Sequence, residues 1–326
     1  YLKELGVHVE TCTNEASAAA MLGASINYPI RGAVTWKSIV GTNVASDALS
    51  NLASPGVTGG AMIVSGGDYG EGASVIQERS LAYALKSSMI MLDPRPDLGR
   101  IVDLVEHAFA MSEASSMPAM MQLRIRACHL QGEFVAKDNK AARVSERAKL
   151  AEPAAHEYVR LAHPPVTFPQ EADKVARRLP AAREYVARLR LNETFAGDVS
   201  GIGIIVQGGL YNALVRQLVE AGLSDPFGAS RIDTHVLNVT WPLVPEEIVA
   251  FAKGKHAVLV MEEGSPEFIE HAVLQIIAQS DLGTRVVGKD IMPMAGDYTG
   301  EVIAQGLQAF VEKHAPGSGL GGPLAA

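Results

Sequence analysis

The chain of 326 residues contains two cysteines, Cys12 and Cys128. So few cysteines exclude the disulfide framework that holds many small secreted domains together. They also argue against an iron–sulfur cluster held by this chain alone, because such clusters are bound by sets of cysteine thiolates. A cluster of that kind would need ligands from another domain or subunit.

Long apolar runs and basic stripes are absent as well. The longest apolar runs are interrupted by Gly, Ser or charged residues and fall short of a membrane span. The net charge is −8, and no Lys- and Arg-rich stripe with interleaved aromatic residues occurs. We therefore expect neither a membrane nor nucleic acid as a partner, and we expect the protein in the cytoplasm. Gly-x-Ser-x-Gly, His-Glu-x-x-His and P-loop motifs are missing too, so hydrolase, zinc protease and nucleotide triphosphatase functions have no support.

Short apolar segments alternate with longer helical patterns, which predicts βαβ units around parallel sheets. The length suits two domains of ordinary size. We predict an α/β fold of two doubly wound, mostly parallel-sheet domains. The predicted divisions are a first domain at 1–132, a connector at 133–198, a second domain at 199–316 and a flexible tail at 317–326.

The connector differs from the rest of the chain in composition. Lys and Arg outnumber the acidic residues there, prolines recur, and no strand pattern occurs before residue 193. A helix is predicted at 181–191, with Pro180 suited to its first turn. We interpret the charges of the connector as a solvated face.

A polar stretch followed by a helix of small residues stands near the start of the chain. A β-like run at residues 7–9 leads to Asn14, whose side chain can cap the next helix by accepting a backbone N–H. Glu15 places a carboxylate in the first turn, and the Ala- and Gly-rich helix behind it is predicted to be buried. Complementing the helix dipole, at about 0.3–1 kcal/mol, is the simple interpretation of Glu15. A role in a site is the alternative.

The first six residues are typical of the end of a helix closed by Gly6. Neither an initiating Met nor a signal peptide precedes them. We therefore expect further sequence before Tyr1.

Polar residues follow the next two predicted strands. Lys37 and Asn43 come after the first, and Asp68 comes after the second. Ligands bind at the carboxyl ends of strands in open α/β sheets, so any of these side chains is placed to meet a substrate. A surface lysine and a helix-capping loop explain the same residues equally well.

Two motifs in the second half invite functional interpretations that the pattern does not favour. Gln207-Gly-Gly lacks the remaining glycines of a dinucleotide-binding turn, so a plain turn is favoured. Glu262 and Glu263 follow a predicted strand in a region without other converging polar residues, so we predict a structural role for them.

Several short motifs in sequence order resemble the 2-oxoacid:ferredoxin oxidoreductases, and within them the α subunit of the indolepyruvate type. The resemblance covers nearly the whole chain apart from the connector. The first-half motifs resemble a thiamine-pyrophosphate pyrimidine domain; they contain Asn14, Glu15, Gly23, Trp36, Lys37, Gly41, Asn43, Asp47, Gly59, Gly60 and Asp68. The second-half motifs resemble a transketolase-C-like domain; they contain Trp241 to Ile248, Val260 to Glu263, Gly288 to Pro293 and Gly296-Asp297.

The resemblance implies a catalytic role for Glu15. In such enzymes a glutamate at this helix mouth hydrogen-bonds N1′ of the cofactor's aminopyrimidine and thereby helps N4′ to take a proton from the thiazolium C2. From their place at the strand ends, we further predict that Asn43 contacts the cofactor and that Lys37, Asn43 or Asp68 meets the substrate. The implied reaction is oxidative decarboxylation of a 2-oxoacid such as indolepyruvate to an acyl-CoA, with electrons passed to ferredoxin.

The chain departs from a complete enzyme of this kind. The Gly-Asp-Gly…Asn motif that holds Mg²⁺ and diphosphate is absent, and so is a cysteine-rich ferredoxin-like segment. Mg²⁺, iron–sulfur clusters and a γ-type subunit or domain are therefore expected outside this segment, in a dimer of catalytic units, and the segment alone should be inactive. Two alternatives stay open: another 2-oxoacid, such as pyruvate or a branched-chain one, or a non-catalytic structural or regulatory subunit.

Overall fold

A computed structural model describes residues 1–67, 76–77, 79–138, 151–153, 156–316 and 318 of the chain. The strands are β1 (Gly32–Lys37), β2 (Ala61–Gly67), β3 (Ile90–Leu92), β4 (Ala119–Arg124), β5 (Glu193–Phe195), β6 (Val199–Gln207), β7 (Ile232–Leu237), β8 (Val239–Trp241), β9 (Ala257–Met261) and β10 (Arg285–Val287). The α-helices are α1 (Glu15–Leu22), α2 (Val40–Ala53), α3 (Ser80–Ser87), α4 (Leu98–Ser115), α5 (Ile125–Cys128), α6 (Thr167–Asp173), α7 (Leu179–Leu189), α8 (Tyr211–Glu220), α9 (Pro245–Ala252), α10 (Phe268–Ala278) and α11 (Gly300–His314).

The strands form two five-stranded sheets. The first has the order β1-β2-β4-β3-β8, and the second has the order β10-β9-β6-β7-β5. Four strands of each sheet are parallel, and the last strand of each order is antiparallel to its neighbour. Parallel strands need crossovers, which the intervening helices supply. The prediction of an α/β fold with two mostly parallel sheets is confirmed.

Two strands lie across the predicted domain divisions. β5 falls within the range predicted as connector but pairs with β7 of the second sheet. β8 follows β7 in the chain, yet it completes the first sheet by pairing Trp241 with Met91 and Val239 with Leu92. Each of these two edge strands therefore comes from outside the domain range predicted for its sheet. The division at residues 132, 198 and 316 stays a prediction.

Apolar packing also joins the two halves. One buried cluster contains Leu81 and Met91 of the first half together with Ile248, Phe251 and Ile269 of the second. Burial of apolar surface at roughly 25 cal/mol per Å² favours this contact over exposure of either face. The halves therefore share a core rather than meeting through a polar surface alone.

The amino-terminal stretch differs from the prediction. Residues 7–9 form no strand within the described part of the chain, and Val7 and Val9 are exposed, since no described strand lies beside them. Residues 1–7 instead make the hydrogen bonds of a helix end, with Val7 N–H donating to Leu2 O and Gly6 N–H to Lys3 O. Gly6 adopts a φ of 76°, as such an end requires.

Helix α1 is less buried than predicted. Only Ala19 and Leu22 are buried, and Met21 is exposed on the opposite face. The small residues do allow close packing against α2, as expected. The prediction of a buried helix holds for one face only, because no described residue covers the other face.

The connector is not simply a solvated face, because Arg178 is fully buried. It follows α6 in a π-helical segment and donates to Ala53 O at 3.1 Å, Ser54 O at 2.9 Å and Gln170 O at 2.6 Å. The Ala53 and Ser54 carbonyls lie at the end of α2, where C=O groups lack partners within the helix; Ala53 O also accepts the Gly56 N–H at 3.3 Å. The guanidinium thus fastens the connector to the first half.

The buried imidazole of His235 predicts a pH-dependent stability. His235 lies on β7, its Nδ1 is 2.8 Å from Thr194 Oγ1, and its ring packs 5.4 Å from that of Phe251. Burial lowers the pKa of His235 to about 4. In the unfolded chain a histidine has a pKa of about 6.5, so the unfolded state binds more protons between these two pH values. The free energy of unfolding should therefore fall as the pH is lowered through that range.

Chemical denaturation at pH 6.5 and at pH 5 measures this effect. We expect His235 to contribute about 1.5 kcal/mol of the loss between these pH values, by the linkage relation. The variant His235→Asn keeps a polar partner for Thr194 and should lose that share of the pH dependence. An unchanged pH dependence in His235→Asn would contradict the assignment.

Candidate active site

Lys37 and Asn43 flank the turn between β1 and α2. Lys37 is the last residue of β1 and is exposed; it pairs in register with Gly66 of β2. Asn43 is exposed in the first turn of α2, where its N–H donates to Ile39 O at 2.9 Å. Both side chains therefore lie at the carboxyl edge of the first sheet, as predicted. Asp68, the third predicted substrate contact, lies outside the described residues.

Glu15 stands in the first turn of α1, and Asn14 caps this helix as predicted. The Asn14 Oδ1 accepts the Ser17 N–H at 2.8 Å. Leu22, at the other end of α1, packs at Gly32 at the start of β1. Since α1 packs along β1, its amino terminus points toward the carboxyl edge where Lys37 lies. Glu15 is half-buried, and no group among the described residues donates a hydrogen bond to its carboxylate.

A buried polar cluster lies under the β1–α2 turn. Trp36 Nε1 donates to Thr42 Oγ1 at 3.1 Å, and Ser38 Oγ lies 3.4 Å from the same hydroxyl. Ser38 Oγ also hydrogen-bonds Ser80 Oγ at the start of α3. Trp36 is a buried core residue.

Gly41 is required by the indole of Trp36. A Cβ at Gly41 would lie 2.6 Å from Trp36 Cγ, closer than real Cβ contacts. We expect Gly41→Ala to lower the free energy of unfolding by about 1–3 kcal/mol, since over-packing forces neighbours off their rotamers. Urea unfolding measures this loss. Gly66→Ala, where a Cβ meets no atom within 4 Å, is the matched control and should cost little. Equal losses in both variants would contradict this account of Gly41.

Glu262 and Glu263 meet charged partners that sequence patterns did not reveal. Glu262 Oε1 pairs with Arg79 Nη1 at 2.5 Å, and all charged atoms of this pair are buried. Arg124, at the end of β4, pairs with Asp93 at 2.6 Å and with Glu263. The structural role predicted for the two glutamates agrees with these contacts. The expectation that no polar groups converge there is wrong, because Arg79 and Arg124 reach the two glutamates from the first half.

The Gln207-Gly-Gly turn of the second half packs against Asp93 and Arg124 of the first half. Gln207 Oε1 accepts the Glu263 N–H at 2.9 Å. A Cβ at Gly208 would overlap Asp93 O, and a Cβ at Gly209 would overlap the Arg124 side chain. The two glycines therefore leave room for the Asp93–Arg124 pair, and the plain turn favoured by the sequence has this docking role.

Lys289 supports Glu262 from the other side. Its Nζ donates to Glu262 O at 2.6 Å and to Tyr298 Oη at 2.8 Å. Burial lowers the pKa of Lys289 to about 8. Its backbone N–H donates to Glu270 Oε2 at 2.8 Å. The Gly288–Pro293 motif thus stabilises the segment that follows β9 through the hydrogen bonds of Lys289.

Among the described residues, no group of three or more His, Cys, Asp or Glu side chains is placed to hold a metal ion. No helix in that part of the chain is both long and apolar enough to cross a membrane.

Comparison with known proteins gives two similar curated relatives. Subunit IorA of indolepyruvate oxidoreductase from Methanothermobacter thermautotrophicus is 25% identical over 311 residues, covering 94% of this chain and 48% of the relative. IorA from Methanothermobacter marburgensis is 25% identical over 324 residues, covering 97% and 49%. A solved 2-oxoglutarate:ferredoxin oxidoreductase from Magnetococcus marinus, with 2-oxoglutarate, coenzyme A and succinyl-CoA bound, covers 94% of this chain and 58% of its own, with a TM-score of 0.62 and 14% identity. The chain is thus similar in sequence to IorA and in fold to the 2-oxoglutarate:ferredoxin oxidoreductase.

The chain spans about half the length of the curated relatives that it matches. A split-gene transketolase, solved as an inactive β4 tetramer, shares the fold with a TM-score of 0.54 and 13% identity, over 93% of this chain and 83% of its own. These two solved structures share the α/β fold of this chain, with its two mostly parallel sheets. No protein-family model matches the chain.

Proposed function

We propose that this chain is the pyrimidine-domain part of a thiamine pyrophosphate-dependent 2-oxoacid:ferredoxin oxidoreductase that acts on an arylpyruvate such as indolepyruvate. The observation that carries the proposal is the placement of Glu15. Its carboxylate lies at the carboxyl edge of a parallel sheet, in the first turn of α1, without a donor among the described residues. The names of the IorA relatives support the choice of an aryl 2-oxoacid.

The residues present fit the aminopyrimidine end of thiamine. When bound, the cofactor supplies an electron sink for decarboxylation of a 2-oxoacid. The carboxylate of Glu15 can accept a hydrogen bond, and its Oε atoms would share a proton with N1′ of the pyrimidine. Asn14, by capping α1, fixes the direction in which the first turn presents this carboxylate.

Lys37 and Asn43 are the proposed contacts for the other ligand groups. A 2-oxoacid is an anion, and the exposed Lys37 ammonium suits its carboxylate as a charge-assisted donor. The Asn43 amide both donates and accepts, so it suits the cofactor or the substrate carbonyl. Asp68 remains a proposed substrate contact from its position after β2.

Exposed apolar side chains on α1 and α2 support the proposal of a partner domain. Met21 of α1 and Val40 and Val44 of α2 are each about half exposed. A domain that carries Mg²⁺ and the diphosphate site would cover apolar side chains of this kind and would exclude water from the site. A γ-type subunit or domain, iron–sulfur clusters, CoA and ferredoxin complete the proposed enzyme, which we propose to be a dimer of catalytic units in the cytoplasm.

Anaerobic expression of the full-length gene, with a partner encoded beside it, permits a direct test. The assay is CoA-dependent reduction of a viologen dye with indolepyruvate, phenylpyruvate and pyruvate. Preference for the two aryl substrates is the expected result. Preference for pyruvate or a branched-chain acid would keep the chemistry and change the substrate. Reduction with none of them would indicate a structural or regulatory subunit that kept the fold.

A further inference from the structure

Glu262 is a fixed acceptor at the junction of the two halves. It follows β9, and its carboxylate accepts the backbone N–H of Ile269 and of Glu270 at the start of α10, each at about 3 Å. These bonds satisfy unpaired donors of the helix and hold the carboxylate in one orientation. The side chain is fully buried. The Glu262 carboxylate is therefore held in place, and it can still accept a hydrogen bond from a residue of the first half.

Arg79, the residue before α3, donates this hydrogen bond. Its Nη1 lies 2.5 Å from Glu262 Oε1 and also donates to Pro266 O. The guanidinium lies 5.3 Å from the ring centre of Phe268, in a cation–π arrangement. Arg79 is thus held by three groups of the second half.

The next residue continues this chain of contacts. Ser80 Oγ hydrogen-bonds Ser38 Oγ, which in turn lies 3.4 Å from Thr42 Oγ1. Ser38, Thr42 and Ser80 are all buried. Ser38 and Thr42 belong to the turn that begins at Lys37 and includes Asn43. Buried polar contacts on either side of the Arg79–Ser80 peptide bond therefore connect β9 of the second half with the candidate active-site turn of the first.

We propose that Glu262 and Arg79 are positioning residues for the 2-oxoacid site, acting through Ser80 and Ser38 on the turn at 37–43. The inference rests on the proposed function. Buried ion pairs are often no more stabilising than apolar residues of similar volume, so stability alone gives little reason to bury a pair here. Directional hydrogen bonds hold groups within the fraction of an ångström that a reacting geometry needs.

The first experiment measures kinetics of the full-length holoenzyme with its partner. Ser80→Ala and Ser38→Ala remove opposite ends of one hydrogen bond. Each should raise KM for the 2-oxoacid about tenfold with little change in kcat, and the double variant should be no worse than either single one. Arg79→Lys keeps the charge but loses the planar fork, and it should shift KM in the same direction.

Ser112→Ala is the matched control. Ser112 is equally buried, and its hydroxyl accepts the Ala61 N–H at 3.1 Å at the other end of β2. It lies outside this set of contacts, so its KM should stay at the wild-type value. A KM increase in this control equal to that of Ser80→Ala would overturn the proposal, because any lost buried hydroxyl would then suffice.

Hydrogen exchange provides a readout that needs no substrate turnover. In the same full-length protein, the peptide at 37–45 should exchange about tenfold faster in Ser80→Ala and in Arg79→Lys than in wild type or Ser112→Ala. Unchanged exchange in Ser80→Ala and Arg79→Lys would overturn the proposal, and so would faster exchange with an unchanged KM. Faster exchange in an enzyme whose wild type turns over no 2-oxoacid would support the coupling between the halves and refute the proposed function instead.

Discussion

Replacing Glu15 by glutamine is expected to lower kcat/KM of the full-length enzyme by about 10²–10⁴-fold, the usual contribution of a positioned acid–base group. Glutamine keeps the shape of the side chain and the Asn14 cap, but it cannot accept and return a proton. The substitution removes the carboxylate in the first turn of α1, which has no hydrogen-bond donor among the described residues. The dye-reduction assay with indolepyruvate measures the loss.

The chain offers a control matched for helix position. Glu301 stands in the first turn of α11 behind the Thr299 cap, as Glu15 stands behind Asn14. Glu301→Gln should retain activity, and both variants should lose at most about 1 kcal/mol of stability from the helix dipole. If Glu15→Gln is as active as wild type, the carboxylate serves the helix dipole alone and the site assignment is wrong.

Arg124→Met is expected to lower the free energy of unfolding by about 3–5 kcal/mol, because it leaves two buried carboxylates without their shared cation. Arg124 pairs with Asp93 through two hydrogen bonds, at 3.2 and 2.6 Å, and with Glu263 of the second half. All three side chains are nearly inaccessible to water. Denaturant unfolding of the full-length protein measures the loss.

An exposed ion pair, Arg31–Glu113, is the control for the stability loss expected in Arg124→Met. Arg31 and Glu113 form a bidentate pair at the surface, at 2.7 and 2.9 Å. Arg31→Met should cost no more than about 1 kcal/mol. The triple variant Arg124→Met, Asp93→Asn and Glu263→Gln should recover much of the free energy of unfolding lost in Arg124→Met. Burying an unpaired neutral group costs less free energy than burying an unpaired charge. Equal losses in Arg31→Met and Arg124→Met would show that burial of the Arg124 cluster does not matter.

Local features were predictable from sequence wherever neighbouring residues determine the structure. Asn14 caps α1 because a short polar side chain before a helix reaches the N–H three residues on. Apolar runs such as the one at 257–261 became buried strands of a parallel sheet. Lys37 and Asn43 were placed at the sheet edge by the same strand and helix boundaries.

Features that depend on distant residues were not predictable. Arg79 and Glu262 are 183 positions apart, and no periodicity or motif in either neighbourhood indicates the other. Arg178 is buried because the connector folds back on the end of α2, whereas its composition is typical of a solvated segment. Val7 and Val9 have strand-forming side chains, but a strand requires a partner, and the described chain places none beside them.

The exchange of β8 into the first sheet has a consequence for synthesis of the chain. In the part of the chain that the structure describes, the apolar edge of β3 opposite β4 pairs with β8, which follows about 150 residues later. At roughly 5–20 residues per second, the ribosome needs about 7–30 s to make that stretch. During this interval the nascent first half exposes an open strand edge, the kind of surface on which chains aggregate. We therefore expect the emerging polypeptide to need chaperone protection until Val239–Trp241 has left the ribosome.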